Sequence, residues 1–308
     1  RLRLTLGSPD DPLPDCDVCI VQRTALPTVD AVDGLVRQLG AMGAALVVDV
    51  DDAFRLIGPD HPEHDLYRPY NAALDRLVAA AAETWFSTPE LAEAYAALAP
   101  RSVIVPNAID PRLWRDWRKP RPTPFAGQKV RMLYMGTHTH GADFALVRPA
   151  LDRLFAERGD AFDVTLIGVA PDVEPAPWLH RLSPPAEAVS YPRFVRWLRE
   201  QGPFDLGLAP LVDGPFNRCK SDIKALDYAA LVMLPLVSDS PAYRADTALA
   251  RHIVLVGDEG WYEALSSVLD DRAGAAERAR VLHDWLWSNR VVAKGAASIA
   301  ARLEAYRR

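Results

Sequence analysis

The chain has 308 residues, of which 49% are hydrophobic and 25% charged, and this length and composition are typical of two globular domains. Its formal net charge is −6, from 41 acidic and 35 basic residues. This argues against a nucleic-acid partner, because proteins that bind nucleic acids usually carry an excess of basic residues. No apolar run reaches the ~20 residues that a membrane-spanning helix needs, and no secretory signal is recognisable. Three cysteines are too few for a disulfide scaffold and fit a reducing compartment.

Short apolar segments alternate with helical segments in the first part of the chain. The predicted strands are RLRLTL, DVCIVQR, AALVVDV, ETWFST and SVIVPN. Helices are predicted over 29–42 and 70–82, and Thr88 followed by Pro89 is typical of a helix start, with a capping hydroxyl and a first-turn proline. Alternation of this kind predicts a parallel sheet covered by helices.

A second alternating series follows a Pro-rich polar segment, which predicts an interdomain linker over 119–128. Its predicted strands are VRMLYMG, DVTLIG, FDLGLAPL, MLPLVSD and HIVLVG. A long helical tract, 274–308, closes the chain. We therefore predict an N-terminal domain over 1–118, a second domain over 129–285, and a final segment over 286–308.

The motif KSDIKALD carries the strongest charge pattern in the second series. Lys220, Lys224 and Asp227 would share one face at helical spacing, and Ser221 suits the cap of a helix that runs to Leu231. Lysines at a helix N-terminus cost roughly 0.3–1 kcal/mol each unless an anion lies with them. Free N–H groups, a hydroxyl and two ammonium groups suit a diphosphate, and the acid suits ribose hydroxyls. A solvated basic turn is the alternative.

The segment YMGTHTHGADF follows the first strand of this series. Gly136 and Gly141 would allow backbone N–H groups to approach a phosphate or sugar closely. His138 and His140 are two residues apart, but a metal site would need a third ligand, and none is nearby. The segment indicates a loop that contacts phosphate or sugar, with surface histidines as the alternative.

The segment VVDVDDAF ends a buried strand with three acids, Asp49, Asp51 and Asp52. Carboxylates at the end of a buried strand are costly without cations, hydroxyl donors or solvent. One interpretation is a DxD site that holds Mg²⁺ or Mn²⁺ against a diphosphate. A second is a metal-free carboxylate that contacts sugar hydroxyls or stabilises a cationic transition state. The third is a cap of the turn.

The chain resembles retaining GT-B glycosyltransferases related to glycosyltransferase family 4, especially those of bacterial surface-polysaccharide gene clusters such as O-antigen clusters. The matching strings are VVDVDDAF, DHPEH, FSTPELAEAY, VIVPNAIDPRLW, YMGTHTHGADF and FDLGLAPLVDGPFNRCKSDIKALDYAALVMLPLVSDSPAY, which stand in the family's order from about 46 to 243. The resemblance implies an α/β protein with two Rossmann-like domains whose parallel sheets face a cleft. It implies an acceptor-side first domain that lacks its first elements, a donor-binding second domain, and a final helix that crosses back.

The resemblance also implies roles for particular residues. Asp227 falls where the family has the second glutamate of its E-x7-E signature, usually the ribose ligand, and the first would fall at Cys219. The loop after VVDV, where many relatives carry an active-site histidine, holds Asp51 and Asp52. The implied donor-binding residues are Gly136, Thr137, His140, Gly168, Asn217, Lys220, Ser221, Lys224 and Asp227. The implied catalytic residues are Asp51, Asp52, Lys220 and Lys224.

The predicted reaction moves a sugar from an NDP-sugar to a hydroxyl of a glycan or lipid-linked glycan, without a cofactor and without a bound metal. The expected setting is the cytoplasm, with peripheral association at the inner face of the membrane. Because the chain begins RLRLTL without Met, we expect it to be part of a longer multidomain protein. Three alternatives stay open: a non-catalytic nucleotide-sugar or glycan-binding module, a metal-dependent DxD transferase, and another GT-B chemistry such as epimerisation of a sugar nucleotide.

Overall fold

A computed structural model describes residues 3–114, 123–168 and 173–307. The chain folds into two compact units, of which the first contains residues 1–106, 218–221 and 293–308, and the second contains 107–217 and 222–292. The predicted linker, 119–128, lies partly outside the described residues, so the boundary at 118 stays a prediction. The described residues 107–114 group with the second unit.

The first unit contains a four-stranded parallel sheet in the order β1-β2-β3-β4. Its strands are β1 (Val18–Gln22), β2 (Ala45–Val50), β3 (Glu83–Phe86) and β4 (Ser102–Ile104). Its helices are α1 (Val29–Met42), α2 (His64–Tyr67), α3 (Asn71–Ala80) and α4 (Pro89–Ala94). The predicted strand RLRLTL is wrong over residues 3–6, which form no strand; Leu6 is fully exposed and has no core to pack against.

Local chemistry explains where these elements begin and end. Helix α1 starts after Thr28, whose hydroxyl accepts a hydrogen bond from the Ala31 N–H at 3.2 Å, and it ends at Gly43 with φ 66°. Thr88 caps α4 as predicted, accepting the Leu91 N–H at 3.2 Å. Such caps satisfy N–H groups that the helix itself leaves without partners.

The second unit contains a six-stranded parallel sheet in the order β10-β9-β8-β5-β6-β7. Its strands are β5 (Val130–Met135), β6 (Phe162–Ile167), β7 (Leu179–Leu182), β8 (Leu206–Ala209), β9 (Leu234–Ser238) and β10 (Val254–Val256). Its helices are α5 (Pro111–Trp114), α6 (Gly141–Arg158), α7 (Tyr191–Gln201), α8 (Pro215–Arg218), α9 (Ile223–Ala230), α10 (Pro241–Arg244), α11 (Thr247–Ala250), α12 (Trp261–Asp270) and α13 (Arg272–Asn289). Counted within the unit, the strand order is 6-5-4-1-2-3, which is that of a Rossmann fold.

The last helix, α14 (Val292–Glu304), follows a break at Arg290 and Val291, so the predicted helical tract is two helices. Its residues from 293 onward group with the first unit. There Leu303 packs with Val47 and Trp85, which belong to the core of that unit. Among the helices of the described ranges, none combines the length and the apolar composition of a membrane-spanning segment.

Candidate active site

The strand order of the second unit defines where a ligand can bind. β5 lies between β8 and β6, and the chain continues from β5 to one side and later returns to the other. At such a switch point the loops after neighbouring parallel strands diverge and leave a crevice at the carboxyl edge of the sheet. The loops after β5 and β8 are therefore the expected ligand-binding loops of this unit.

Two glycines meet at this edge. The Gly136 N–H donates to the Ile167 carbonyl at 3.0 Å, and Gly168 follows with φ +72°. A Cβ on Gly168 would lie 2.3 Å from the Gly136 carbonyl oxygen, and a Cβ on Gly136 would lie 2.9 Å from the His140 ring. Any larger residue at either position would clash, so both glycines are required by close packing and, at Gly168, by a left-handed backbone.

Asp143 joins the loop after β5 to the loop after β8. One oxygen of its buried carboxylate contacts the His140 Nδ1 at 2.6 Å, and the other accepts the Val212 N–H at 2.8 Å. The Tyr134 hydroxyl donates to the His140 carbonyl at 3.2 Å. His140 is thus held in a fixed position at the switch point, and Asp143, which the sequence did not single out, is the residue that fixes it.

Other predicted donor-binding residues lie around the same loops. Asn217 donates from Nδ2 to the Val212 carbonyl at 2.8 Å and so closes the loop after β8. The Lys224 Nζ lies 5.6 Å from the centroid of the Tyr134 ring, which is within the range of a cation–π contact. The Thr137 hydroxyl is exposed and lies 2.9 Å from that of Thr139.

The start of α9 differs from the prediction. Asp222, not Ser221, occupies the cap position, and no side chain makes a capping hydrogen bond there. Both Lys220 and Ser221 precede the helix and group with the first unit, whereas Lys224 and Asp227 lie in the helix. The predicted single helical face of Lys220, Lys224 and Asp227 is therefore wrong, because Asp222 is drawn into a buried ion pair and the helix begins after it.

Asp227 lies on α9 with only 6% of its surface exposed. The Tyr191 hydroxyl, at the start of α7, donates to the Asp227 Oδ1 at 2.7 Å. Burial raises the pKa of Asp227 to about 7, and the hydrogen bond from Tyr191 lowers it by a smaller amount. Tyr191 was not singled out from the sequence, since a tyrosine 36 residues away carries no local signal.

In the first unit, Asp51 and Asp52 follow β2 and share one arginine. The Arg23 Nη1 lies 3.0 Å from the Asp51 Oδ1 and 3.5 Å from the Asp52 Oδ2. Burial and the neighbouring Asp51 raise the pKa of Asp52 to about 6, while Lys220 and Arg23 lower it. Burial and Asp51 also raise the pKa of Asp49. The acids that the sequence singled out therefore form a half-buried cluster with two cations.

Arg23 was missed at the sequence level, although its place could have been found from the sheet. β1 pairs with β2 in parallel, with Gln22 opposite Asp49, so the residue after Gln22 stands beside the end of β2. Arg23 has φ 23°, a backbone conformation that a non-glycine residue rarely adopts. Its guanidinium also lies 5.5 Å from the centroid of the Phe54 ring, so it is held between a ring and two carboxylates.

Ser87 and Thr88, which follow β3, contact the same region. Ser87 donates from Oγ to the Asp51 carbonyl at 3.2 Å, and Thr88 donates from Oγ1 to the Cys219 carbonyl at 3.0 Å. The Cys219 thiol contacts the Glu90 carbonyl at 3.6 Å, and burial raises the pKa of that thiol to about 11. At neutral pH this residue is a neutral thiol, which supplies neither the charge of a glutamate nor a reactive thiolate.

In the ranges that the structure describes, no three His, Cys, Asp or Glu side chains are grouped so that they could hold a metal ion. In the HPEH segment, the His64 Nδ1 lies 2.9 Å from the Ile57 carbonyl, and the Glu63 N–H donates to the His61 Nδ1 at 3.1 Å. These contacts are those of a folded loop.

Two Rossmann-like α/β units with parallel sheets are the architecture of the GT-B class, so the predicted α/β class with two such domains is confirmed. No protein-family model matches the chain, and no curated protein matches it. Solved GT-B structures do match. HepE of Anabaena in complex with UDP-glucose is 13% identical over 94% of this chain and 79% of that chain, with a TM-score of 0.64.

Two further structures show the same likeness. The trehalose 6-phosphate synthase of Burkholderia multivorans is 15% identical over 95% of this chain and 71% of that chain, with a TM-score of 0.59. WaaG, a glycosyltransferase involved in lipopolysaccharide biosynthesis, is 15% identical over 83% of this chain and 78% of that chain, with a TM-score of 0.55. At these identities the likeness establishes the fold.

Proposed function

We propose that the chain is a retaining glycosyltransferase that moves a sugar from an NDP-sugar to a hydroxyl of a glycan or lipid-linked glycan. The observation that carries the proposal is the switch point of the second sheet, where Asp143 joins two loops beside Gly136 and Gly168. Open α/β sheets bind nucleotides at that position, and glycines admit phosphate oxygens to backbone N–H groups. The likeness to a structure that contains UDP-glucose supports a nucleotide sugar as the ligand.

The donor roles follow from the chemistry of each side chain. We assign the diphosphate to Lys224, Lys220, Ser221 and the backbone at Gly136, because ammonium, hydroxyl and N–H groups all donate to phosphate oxygens. The buried Asp227 carboxylate is assigned to the ribose hydroxyls. Further donor contacts are assigned to Thr137, His140, Gly168 and Asn217.

The transfer step needs stabilisation of two developing charges. As the bond between the anomeric carbon and the diphosphate oxygen breaks, Lys220 and Lys224 stabilise the departing anion. Asp51 or Asp52 stabilises the positive charge that develops on the sugar ring. The acceptor hydroxyl forms its bond on the face that the diphosphate leaves, and its proton passes to a diphosphate oxygen, so no protein nucleophile and no metal are required.

The biological setting that we propose is synthesis of a bacterial cell-surface polysaccharide, with the enzyme in the cytoplasm at the inner face of the membrane. The resemblance to polysaccharide-cluster transferases and the likeness to WaaG support this setting. A lipid-linked acceptor would require such a location, since its lipid stays in the membrane.

The first test compares three lysine variants in an assay of NDP release from candidate NDP-sugars. Lys220→Ala and Lys224→Ala are each expected to lower kcat/KM about 10- to 100-fold, because each removes a cation from the leaving group. Lys294→Ala, which removes an exposed lysine of α14, serves as the matched control and is expected to keep wild-type activity. Unchanged turnover and donor affinity in both test variants would contradict the assignment.

A pH profile tests the role of Asp52. If its ionised form stabilises the sugar cation, kcat/KM should rise as the pH increases through about 6, the pKa that burial and Asp51 set for this carboxyl. Asp52→Asn, which is never charged, is expected to lower the rate and to remove that rise. Asp60→Asn, at an exposed position of the following loop, is the control and should keep the wild-type profile. A wild-type profile in Asp52→Asn would show that another group titrates.

A further inference from the structure

Tyr191 is anchored through its hydroxyl but is far more exposed than the buried tyrosines of the second unit. Its hydroxyl donates to the Asp227 Oδ1 at 2.7 Å, yet 43% of the residue is exposed. By contrast, Tyr228 and Tyr243 are 0% and 3% exposed. The Tyr191 ring is therefore held at its hydroxyl end while much of its surface stays open, which is an arrangement that a residue serving only the core does not need.

The Asp227 carboxylate depends on this tyrosine. In the described part of the chain, the hydrogen bond that the structure gives to this carboxylate comes from the Tyr191 hydroxyl. Burial and the nearby Asp227 raise the pKa of Tyr191, so its hydroxyl stays protonated and keeps donating throughout the range in which proteins are handled. A hydrogen bond to one oxygen fixes the direction of the other.

We propose that Tyr191 is a nucleoside-recognition residue, whose hydroxyl positions the Asp227 carboxylate for the ribose and whose exposed ring packs against the nucleobase. The proposal rests on the proposed function. A base is bonded directly to the ribose, so a ring joined to the ribose-binding carboxylate lies within reach of the base. Aromatic rings bind any base through its flat face, which makes the ring contact tolerant of base identity.

The test measures binding of UDP, GDP, ADP and CDP, and of their 2′,3′-dideoxy analogues, to the purified chain by calorimetry. Tyr191→Phe keeps the ring and removes the hydroxyl. This variant is expected to lower the affinity for the preferred ribonucleotide about 10-fold. Its affinity for the dideoxy analogue should stay unchanged, because the analogue lacks the hydroxyls that Asp227 would bind. Tyr191→Leu removes the ring as well and is expected to lower the affinity for both ligands about 10-fold or more.

The matched control is Tyr262→Phe, which removes another phenol hydroxyl that donates to a carboxylate, that of Glu157 on the surface. It is expected to change neither affinity. Equal weakening of both ligands by Tyr191→Phe, or no weakening, would overturn the hydroxyl's role; equal effects of the Phe and Leu variants on both ligands would overturn the ring's role. If the wild type binds none of the four nucleotides, the proposed function itself fails.

Discussion

Replacing Arg290 with Met is expected to lower the free energy of unfolding of the second unit by about 3–5 kcal/mol, the usual cost of removing one partner from a buried ion pair. Arg290 is 8% exposed, and its guanidinium binds both oxygens of Asp222, at 2.8 and 2.9 Å. It also donates to Asp246 at 2.7 Å and to the Asn107 carbonyl at 2.8 Å. Without it, Asp222, which is 6% exposed, would be left buried without its cation.

The loss in Arg290→Met should depend on pH with a definite sign. Burial and Asp246 raise the pKa of Asp222, and Arg290 lowers it, so removal of Arg290 raises that pKa further. A protonated Asp222 needs no cation. The deficit relative to wild type is therefore expected to grow as the pH increases from 5 to 8, and urea denaturation at several pH values measures it.

Two further variants distinguish the loss of the buried ion pair from the general effect of removing an arginine. Arg244→Met breaks a surface pair with Asp239 and is expected to cost about 0–1 kcal/mol, since its arginine side chain is 59% exposed. Adding Asp222→Asn to Arg290→Met should recover part of the stability, because it removes the uncompensated charge. A deficit of Arg290→Met no larger than that of Arg244→Met would contradict the buried-pair interpretation.

Arg290 owes its importance to its place in the chain. Asn107 is the first residue of the second unit, and Asp222 is the residue at which the chain re-enters that unit after 218–221. Arg290 itself stands two residues before the chain leaves the unit after Val292. The Arg290 side chain thus connects two points where the chain enters the second unit, Asn107 and Asp222, with a third point, near Val292, where the chain leaves it.

The alternation of apolar strands and helices was sufficient to predict most of the fold, because burial imposes a regular pattern on each element. Strand β7, with the sequence LHRL, was missed because two of its four residues are polar and exposed at the edge of the sheet. The break between α13 and α14 was missed because neither Arg290 nor Val291 is a helix breaker. Arg290 leaves the helix through contacts with residues 44 to 183 positions away.

In the candidate site, too, residues with a local sequence signal could be predicted, whereas residues whose role depends on distant contacts could not. Gly136, His140, Asp51 and Asp52 carry local signals, since they are a glycine, a histidine or acids that follow predicted strands. The structure places Gly136, Asp51 and Asp52 directly after strands, and His140 in the loop after β5. The residues that hold these side chains in place carry no such local signal. Asp143 reaches Val212 across 69 positions, and Arg23 reaches Asp52 across 29. Such partners follow only from strand order and register, which a single sequence leaves open.

Asp227→Asn is expected to stabilise the second unit at pH 8 while it weakens nucleotide binding. Asp227 is 6% exposed, and burial raises the pKa of its carboxyl from the usual 3.8 to about 7. The folded protein therefore holds this proton up to about pH 7, whereas the unfolded chain releases it near pH 3.8. Wild-type stability should fall as the pH increases between these values, because ionisation then favours the unfolded chain.

The size of the gain follows from the same pKa. A difference between 3.8 and about 7 corresponds to roughly 4 kcal/mol at high pH, and some entry of water would reduce it to about 2–4 kcal/mol. Asn stays neutral at every pH, and its carbonyl oxygen can still accept the hydrogen bond from Tyr191. The variant should therefore equal the wild type near pH 4 and exceed it at pH 8, as denaturant titrations at both pH values would show.

The second measurement on Asp227→Asn is its stabilisation by bound nucleotide. A carboxylate that costs stability in the free protein is understandable when it serves a ligand, since residues that bind substrates are often kept at the expense of folding. Ligand at 100 times its Kd adds roughly 2.7 kcal/mol to the wild type, and Asp227→Asn should show a smaller increase at the same concentration. Asp258→Asn, at an exposed position, is the control for both measurements. A pH dependence of stability in Asp227→Asn equal to that of the wild type would show that the buried carboxyl is not its source.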